Sequence, residues 1–312
     1  PITVSGTNSA KIVLTKAGIN LIEVRYTDLG GSKWASTEVF AYAVTYDSRS
    51  LNGTVTEYLA MGDTMLLPGE YTQDGYDFTG WYNSPDAANG LGGMYTETQF
   101  AGSGSMVLYG NWTPRTYYVE FVGMSGVTNI TEGDKQPVTF HDGYKLPIPE
   151  NPNAGGDFAG WYTGPGASGT ALTDSLGNCI TDYTFTRDTV AYPFFDTGVL
   201  SYELQYDGTY GVRRGPSIAG VANIRIPEYY KGVKVTTVLD NAFYGVTTVE
   251  KYEIPATIRL IGAGAFPASS TLKEINVYTE TVQQNYEIFY SSHDGALIRY
   301  DMGTVYLEAF PR

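Results

Sequence analysis

The sequence contains a single cysteine, Cys179, so it cannot form an internal disulfide. A reactive thiol needs positively charged surroundings. Cys179 instead has the acidic residues Asp174 and Asp182 near it in the sequence, and the next cation along the chain is Arg187. We therefore expect a buried structural thiol rather than a nucleophile or a redox site.

Histidine is almost as scarce, since His141 and His293 are the only two. Two histidines this far apart do not indicate a histidine-based metal site or a catalytic triad. The sequence also lacks the short motifs of serine hydrolases, zinc proteases and phosphate loops. The segment 262–267 begins like a dinucleotide-binding motif but ends in proline, so we interpret it as a turn. We predict no catalytic residue, no cofactor and no enzyme activity.

Positive charge is scarce as well, with 19 basic against 33 acidic residues and a net charge of −14. This balance argues against nucleic acid and against anionic membranes as partners. Three acidic residues could bind calcium weakly: Asp174, Asp182 and Asp188. They lack the spacing of an EF-hand, so we predict no metal site. No apolar run approaches the roughly 18 residues of a membrane helix, so no direct membrane insertion is expected.

No signal peptide is visible, and the chain begins with Pro1 rather than methionine. We interpret it as a piece of a longer protein. What the sequence does contain is 27 tyrosines, 37 glycines and 15 prolines in 312 residues. Aromatic residues favour strands, and glycine and proline favour tight turns. This composition predicts a mainly β, multidomain chain of two to four domains.

One segment occurs twice, as FTGWY at 78–82 and as FAGWY at 158–162, with the two tryptophans 80 residues apart. Repetition in the same order marks two copies of one domain. The surrounding sequence resembles the B repeat of internalin B, also called the Listeria-Bacteroides repeat, found in surface proteins of Firmicutes and Bacteroidetes. That resemblance implies two small β-grasp-like domains. We define the first Trp module as residues 42–113 and the second as residues 114–197.

The tryptophans of these modules, Trp81 and Trp161, have two possible roles. A domain of about 70 residues has little interior, and one tryptophan can bury up to about 250 Å², so we favour a core role over sugar stacking. The preceding glycine is expected to let the backbone approach the ring. Near the end of the second module, Pro193 cannot donate a ladder hydrogen bond, so we expect its strand at a sheet edge.

Residues 1–41 show the alternation of a half-buried strand, with Ile22, Val24 and Tyr26 separated by polar residues. This segment resembles the C-terminal half of a bacterial immunoglobulin-like domain. It is shorter than a full sandwich of about 100 residues, so we expect the missing strands upstream.

From residue 198 the periodicity changes, and a spacing of 23 residues separates Val249 from Leu272. The pattern is that of leucine-rich repeats, and its Ile-Pro endings resemble the BspA-like class of bacterial surface proteins. We assign residues 198–312 to this repeat domain. In such repeats the polar residues between apolar ones face outwards, which defines a candidate ligand face: Asn223, Arg225, Lys251, Glu253, Glu274 and Asn276. An ordinary hydrated sheet surface is the alternative.

The ends of a repeat array must be covered. We predict that residues 200–212 form a hairpin that covers the N-terminal end. The apolar face of this hairpin would be formed by four residues: Leu200, Tyr202, Leu204 and Tyr206. We expect Leu204 to be buried against the strand of Val221, Ile224 and Ile226. At the other end, residues 286–311 are expected to continue the stack irregularly.

Together these features predict a non-catalytic bacterial cell-surface or secreted protein. It would act in adhesion or ligand binding through the repeat face, carried on a modular stalk, with an extracellular protein or glycan as its partner. Two alternatives remain open. The chain could be the accessory region of a large secreted enzyme, such as a glycosidase or peptidase. It could also be a carbohydrate-binding module, which would need exposed rings at Trp81 and Trp161.

Overall fold

A computed structural model describes residues 12–28, 30–69, 71–86, 91–266, 269–278, 288–301 and 304–309. The described residues form strands and turns without a helix, so none of them forms a helix that could cross a membrane. The mainly β, multidomain fold class is confirmed. The chain divides into two compact units, residues 1–115 and 116–312.

The first unit has one five-stranded sheet, with strands β1 (Gly18–Asp28), β2 (Gly31–Asp47), β3 (Thr54–Leu59), β4 (Tyr76–Tyr82) and β5 (Met106–Pro114). The long strand β2 has two parts. Residues 31–41 pair with β1, and residues 42–47 pair with β3, while residues 44–47 also pair in parallel with β5. The pairing partner of β2 therefore changes at residue 42, which is the start of the first Trp module.

The β1–β2 hairpin carries many exposed apolar side chains: Ile19, Leu21, Val24, Trp34 and Phe40. The predicted half-buried strand is therefore only partly seen, because Ile22 is half-buried whereas Val24 is 56 % exposed. The side chain of Tyr26 lies outside the described residues. A two-stranded ribbon has too few neighbours to bury both faces.

The second unit begins with a sheet of strands β6 (Thr116–Phe121), β7 (Lys135–Thr139), β8 (Asp157–Gly164), β9 (Ser168–Ala171) and β10 (Thr189–Asp196). Its order is β7-β6-β10-β8-β9, with β6 and β10 parallel. In the first module the order β3-β2-β5-β4 has the same directions, with β2 and β5 parallel. Both Trp modules therefore have the same four-stranded arrangement.

The expectation that the strand of Pro193 lies at an edge is wrong, because β10 is an inner strand. The parallel ladder with β6 covers only residues 189–191, whereas Pro193 pairs with Trp161 of β8. Pro193 thus lies where β10 has one neighbour, and its missing N–H costs no hydrogen bond on the other side.

Both tryptophans lie in the cores of their modules, with Trp81 4 % and Trp161 0 % exposed. Each indole N–H donates to the carbonyl of a proline, Pro68 at 2.7 Å and Pro147 at 2.8 Å. The core prediction is confirmed. Because the rings are buried, they cannot stack on a sugar, and the carbohydrate-binding alternative loses the exposed tryptophans that it requires.

The glycines before the tryptophans occupy backbone positions that other residues rarely adopt. Gly80 and Gly160 have φ angles of +126° and +141°, which L-residues rarely adopt. A Cβ on Gly80 would lie 2.7 Å from Cε of Met94, and one on Gly160 would lie 2.4 Å from the carbonyl oxygen of Thr173. Both glycines permit a bulge and a close approach by a later segment of the chain.

The repeat domain has eleven strands among its described residues: β11 (Leu200–Leu204), β12 (Tyr210–Arg214), β13 (Asn223–Arg225), β14 (Tyr229–Tyr230), β15 (Val233–Val238), β16 (Lys251–Pro255), β17 (Leu260–Ile261), β18 (Glu274–Tyr278), β19 (Phe289–His293), β20 (Ala296–Asp301) and β21 (Thr304–Ala309). Strands β13, β16 and β18 form one parallel sheet, and β12, β15 and β17 form a second. Residues of both sheets share one core, including Ile224, Val235 and Ile254.

Residues 200–214 form the predicted antiparallel hairpin, and Leu200 and Val212 are buried in the repeat core. Two details were wrong. Leu204 is 64 % exposed and Tyr206 is fully exposed, and the hairpin joins the second sheet through β12 and β15 instead of covering β13. Side-chain alternation identifies which residues share one face of the hairpin. How much of that face is buried depends on how far the neighbouring repeat extends along the hairpin.

The C-terminal part of the repeat domain is an antiparallel sheet of β19, β20 and β21, rather than a further parallel repeat. Tyr290 and Leu297 bring it into the repeat core. Its first turn places the carbonyl oxygen of Gly295 2.9 Å from the N–H of Ile275 in β18. The stack therefore continues, but the strand direction changes.

Candidate ligand face on the repeat domain

The six residues predicted to face outwards lie together on one parallel sheet. Strands β13, β16 and β18 are in register, which aligns them in two rows: Asn223, Lys251 and Glu274 in the first, and Arg225, Glu253 and Asn276 in the second. The residues between the rows, Ile224, Tyr252 and Ile275, are at most 2 % exposed. Because side chains alternate along a strand, the six polar residues occupy the opposite side. We call this surface the polar face.

Ion pairs link the polar face across all three strands. Arg225 Nη1 lies 2.7 Å from Glu253 Oε2, and Lys251 Nζ lies 3.0 Å from Glu253 Oε1 and 3.2 Å from Glu274 Oε1. These side chains are 23–39 % exposed. Charges held between neighbours in a partly dry setting are less screened than isolated surface pairs. The network therefore holds the side chains of the face in one arrangement.

Tyr278 also belongs to this face, although it lies outside the six polar positions of the repeat pattern. The Arg225 guanidinium carbon lies 3.5 Å from the centre of the Tyr278 ring, and the Tyr278 hydroxyl donates to the carbonyl of Ile226 at 2.5 Å. The sequence carries a signal for it. Two repeats end in Ile-Pro, at Pro227 and Pro255, whereas the third has Tyr278 paired with Pro255. The Tyr278 ring therefore extends past the small side chain of Pro255 on the neighbouring strand and packs on Arg225.

The carboxylates of the polar face favour their charged forms. Burial alone would raise the pKa of Glu253, but hydrogen bonds from Lys251 and Arg225 outweigh it and hold this pKa below its usual value. Hydrogen bonds from Asn276 and Lys251 lower the pKa of Glu274. The same contacts with Glu253 and Glu274 raise the pKa of Lys251. All three groups remain charged at neutral pH.

The charges of the polar face balance and are already paired with one another. Arg225 and Lys251 balance Glu253 and Glu274, so the face has no net charge within a chain of −14. Its charged groups already bind one another, which leaves no activated base or nucleophile among them. A partner would meet a fixed pattern of alternating charges, flanked by the amides of Asn223 and Asn276.

The other residues considered in the sequence do not come together as a site. The Asp174 carboxylate accepts hydrogen bonds from the N–H groups of Leu176 at 2.8 Å and Asn178 at 2.9 Å, as in a turn. Cys179 is half-buried rather than buried, with its sulfur 3.4 Å from the N–H of Tyr144. Within the described part of the chain, no group of three or more potential ligand residues could hold a metal.

One region of the chain matches a known protein family. Residues 42–110 match the Listeria-Bacteroides repeat domain, which corresponds to the first Trp module. Such repeat domains occur in bacterial surface proteins. The expected resemblance is thereby confirmed for this module.

Among solved structures, the chain is similar to a leucine-rich repeat protein of T. pallidum, TpLRR, with 25 % identity and a TM-score of 0.21. The similarity covers 25 % of this chain and 40 % of that protein, so it is weak and partial. None of the curated proteins matches the chain.

Proposed function

We propose that the chain is a non-catalytic part of a bacterial cell-surface or secreted protein, and that it binds an extracellular protein through the polar face. The observation that carries this proposal is the in-register array of Arg225, Lys251, Glu253 and Glu274, tied by contacts of 2.7–3.2 Å. A face whose side chains are already ordered loses little conformational entropy when a partner binds.

The rest of the chain supports a carrier role. We infer that the second Trp module is a second Listeria-Bacteroides-type repeat, because it has the strand order and the tryptophan–proline hydrogen bond of the first. We also assign the repeat domain to the BspA-like leucine-rich repeats, on the 23-residue period and the Ile-Pro endings. Modules of this kind would hold the polar face away from the bacterial surface.

A protein partner fits the polar face better than a polyanion or a sugar. Nucleic acids and other polyanions need an excess of positive charge, whereas the charges of this face cancel. Trp81 and Trp161, the two tryptophans considered for sugar stacking, are buried in the module cores. Alternating charges instead favour a partner whose own charges alternate, and such complementarity gives specificity more than affinity.

The test compares two double variants of the full chain that each keep the net charge. Lys251→Gln with Glu253→Gln disrupts the polar face. Arg213→Gln with Glu203→Gln removes an exposed pair of 2.8 Å on the β11–β12 hairpin and is the control. Binding to immobilised extracellular matrix proteins and to a glycan array is measured by biolayer interferometry, and circular dichroism checks the fold.

We expect the parent chain to bind at least one matrix protein. The face variant should bind it at least about 10-fold more weakly, as for loss of a central charged pair, and the control variant should bind like the parent. The same loss of binding in both variants would contradict the proposal. It would also be contradicted if the chain bound only glycans and the face variant bound them as well as the parent does.

A further inference from the structure

The second Trp module contacts the repeat domain through the side of its sheet opposite Trp161. A small apolar cluster lies there, formed by Tyr162, Ala167 and Ala171, which are 1 %, 3 % and 5 % exposed. Tyr229, in β14 of the repeat domain, packs against this cluster. Tyr162 follows Trp161 in β8 and points the other way. The module therefore has a second buried side, and the repeat domain supplies part of the cover.

Two tyrosine hydroxyl groups cross this contact. The hydroxyl of Tyr162 in β8 donates to the backbone carbonyl of Tyr229. The hydroxyl of Tyr230 donates to Oδ2 of Asp196, the last residue of β10, at 2.8 Å. One bond runs in each direction between the module and the domain. Directional bonds of this kind set the relative orientation of two packed surfaces more strictly than apolar contact does.

The backbones approach closely at the edge of the contact. Gly232, in the turn between β14 and β15, has a φ of +84°, and a Cβ on it would lie 2.6 Å from Cβ of Asp174 in the second module. Asp174 is itself held by the turn N–H groups of Leu176 and Asn178. The turn of the repeat domain therefore sits directly on a fixed loop of the module, with no room for a side chain.

The contact continues into the N-terminal end of the repeat array. Tyr230 stacks on Tyr202 of the β11–β12 hairpin, with ring centres 3.7 Å apart and planes 10° from parallel. Both rings pack against the repeat core. Burial, with Asp196 and Tyr162 of the module nearby, raises the pKa of Tyr202 well above its usual value. The hairpin end of the array is thus enclosed from the module side.

We propose that the second Trp module is the N-terminal cap of the repeat array, and that residues 116–312 fold and unfold as one cooperative unit. A solenoid needs an atypical element to close each end. The exposed Leu204 end of the hairpin leaves that closure incomplete, and the tyrosine contact with the module completes it. The polar face is then held at a constant orientation to the second module, whatever its partner is.

Amide hydrogen exchange of the full chain tests this coupling. Ile254 is 0 % exposed in the repeat core, and Ile254→Ala should raise the opening constant of the repeat strands about 30-fold or more. We expect the amides of β8 around Trp161 to lose protection by the same factor, while those of β4 around Trp81 keep theirs. Unchanged protection in β8 would overturn the proposal.

A milder pair of variants covers the case in which Ile254→Ala does not fold. Tyr162→Phe removes only the hydroxyl bonded to the Tyr229 carbonyl, and Tyr82→Phe is the matched change in the first module. We expect Tyr162→Phe to speed exchange about 5-fold in β8 and in β15 alike, as for loss of one hydrogen bond, and Tyr82→Phe to leave residues 116–312 unaffected. Faster exchange confined to β8 would show that the module and the array open separately.

Discussion

The two Trp modules share a strand order and a buried tryptophan, but they differ in the tyrosine that follows it. Tyr82 is half-buried, whereas Tyr162 is 1 % exposed. The difference arises outside the repeated segment, because Tyr229 of β14 in the repeat domain covers Tyr162 together with Ile180 and Phe194 of the module. The same small sheet can therefore expose its second side or use it for docking, and the repeated sequence FxGWY is compatible with both.

The largest expected effect comes from the shared core. Trp81→Ala and Trp161→Ala should each lower the free energy of unfolding of their own unit by about 3–5 kcal/mol, because each leaves a large cavity. The loss from Trp161→Ala should extend to the repeat strands. Urea denaturation followed by circular dichroism measures the loss, and hydrogen exchange locates it. A variant that unfolds like the parent would show that its ring is not part of a core.

The glycines before the tryptophans should separate the modules further. Gly160→Ala and Gly80→Ala each place a Cβ at a positive φ, at a cost of about 1–3 kcal/mol. Gly160→Ala should cost more, since its Cβ meets the backbone oxygen of Thr173, whereas Met94 can move its side chain away from residue 80. Thermal melts of the two variants check the order. Equal costs would mean that the clash at Thr173 relaxes freely.

Two tyrosines of the contact should respond in opposite directions to loss of their hydroxyl. Tyr230→Phe loses the bond to Asp196 and should destabilise residues 116–312 by about 1–2 kcal/mol. The Tyr202 hydroxyl is buried without a hydrogen-bond partner among the described residues, so Tyr202→Phe should be neutral or stabilising by up to about 1 kcal/mol. Urea midpoints decide between these outcomes. Destabilisation by Tyr202→Phe would reveal a partner for its hydroxyl.

The smallest effect concerns acid. The pKa of Glu253 is lowered in the folded state, so its stabilisation is present above the usual glutamate pKa of about 4.3 and is lost as the pH falls below it. Burial raises the pKa of Glu228, so its charge opposes folding at neutral pH and protonation relieves this. At pH 7, Glu253→Gln should destabilise and Glu228→Gln should stabilise, each by about 1 kcal/mol or less.

Urea midpoints of both glutamate variants at pH 7 and at about pH 3.5, below the glutamate range, check these signs. Both differences from the parent should shrink in acid, because protonation relieves the burial of the Glu228 charge and removes the extra stability that the Glu253 charge gives the folded state. A difference that is the same at both pH values would mean that the amide changed packing rather than charge.

Local sequence patterns predicted several elements correctly because their causes are local. The repeated apolar pattern, with equivalent residues spaced 28 and then 23 positions apart, aligns Asn223, Lys251 and Glu274, so the repeats alone predicted the polar face. The strands of the 200–212 hairpin and the burial of both tryptophans followed in the same way. Burial of Leu204 and the edge position of Pro193 were wrong, since each depends on how far a neighbouring strand extends.

The amino-acid sequence by itself determined a mainly β chain, a duplicated tryptophan core and an alternating polar face, because composition and side-chain alternation act over a few residues. Only the tertiary structure decided that Tyr278 packs on Arg225 and that Tyr162 is buried against the repeat domain. These contacts join residues 53 and 67 positions apart. The physical reason is that the outer side of a strand is buried only when a distant segment covers it, and no local pattern specifies that segment.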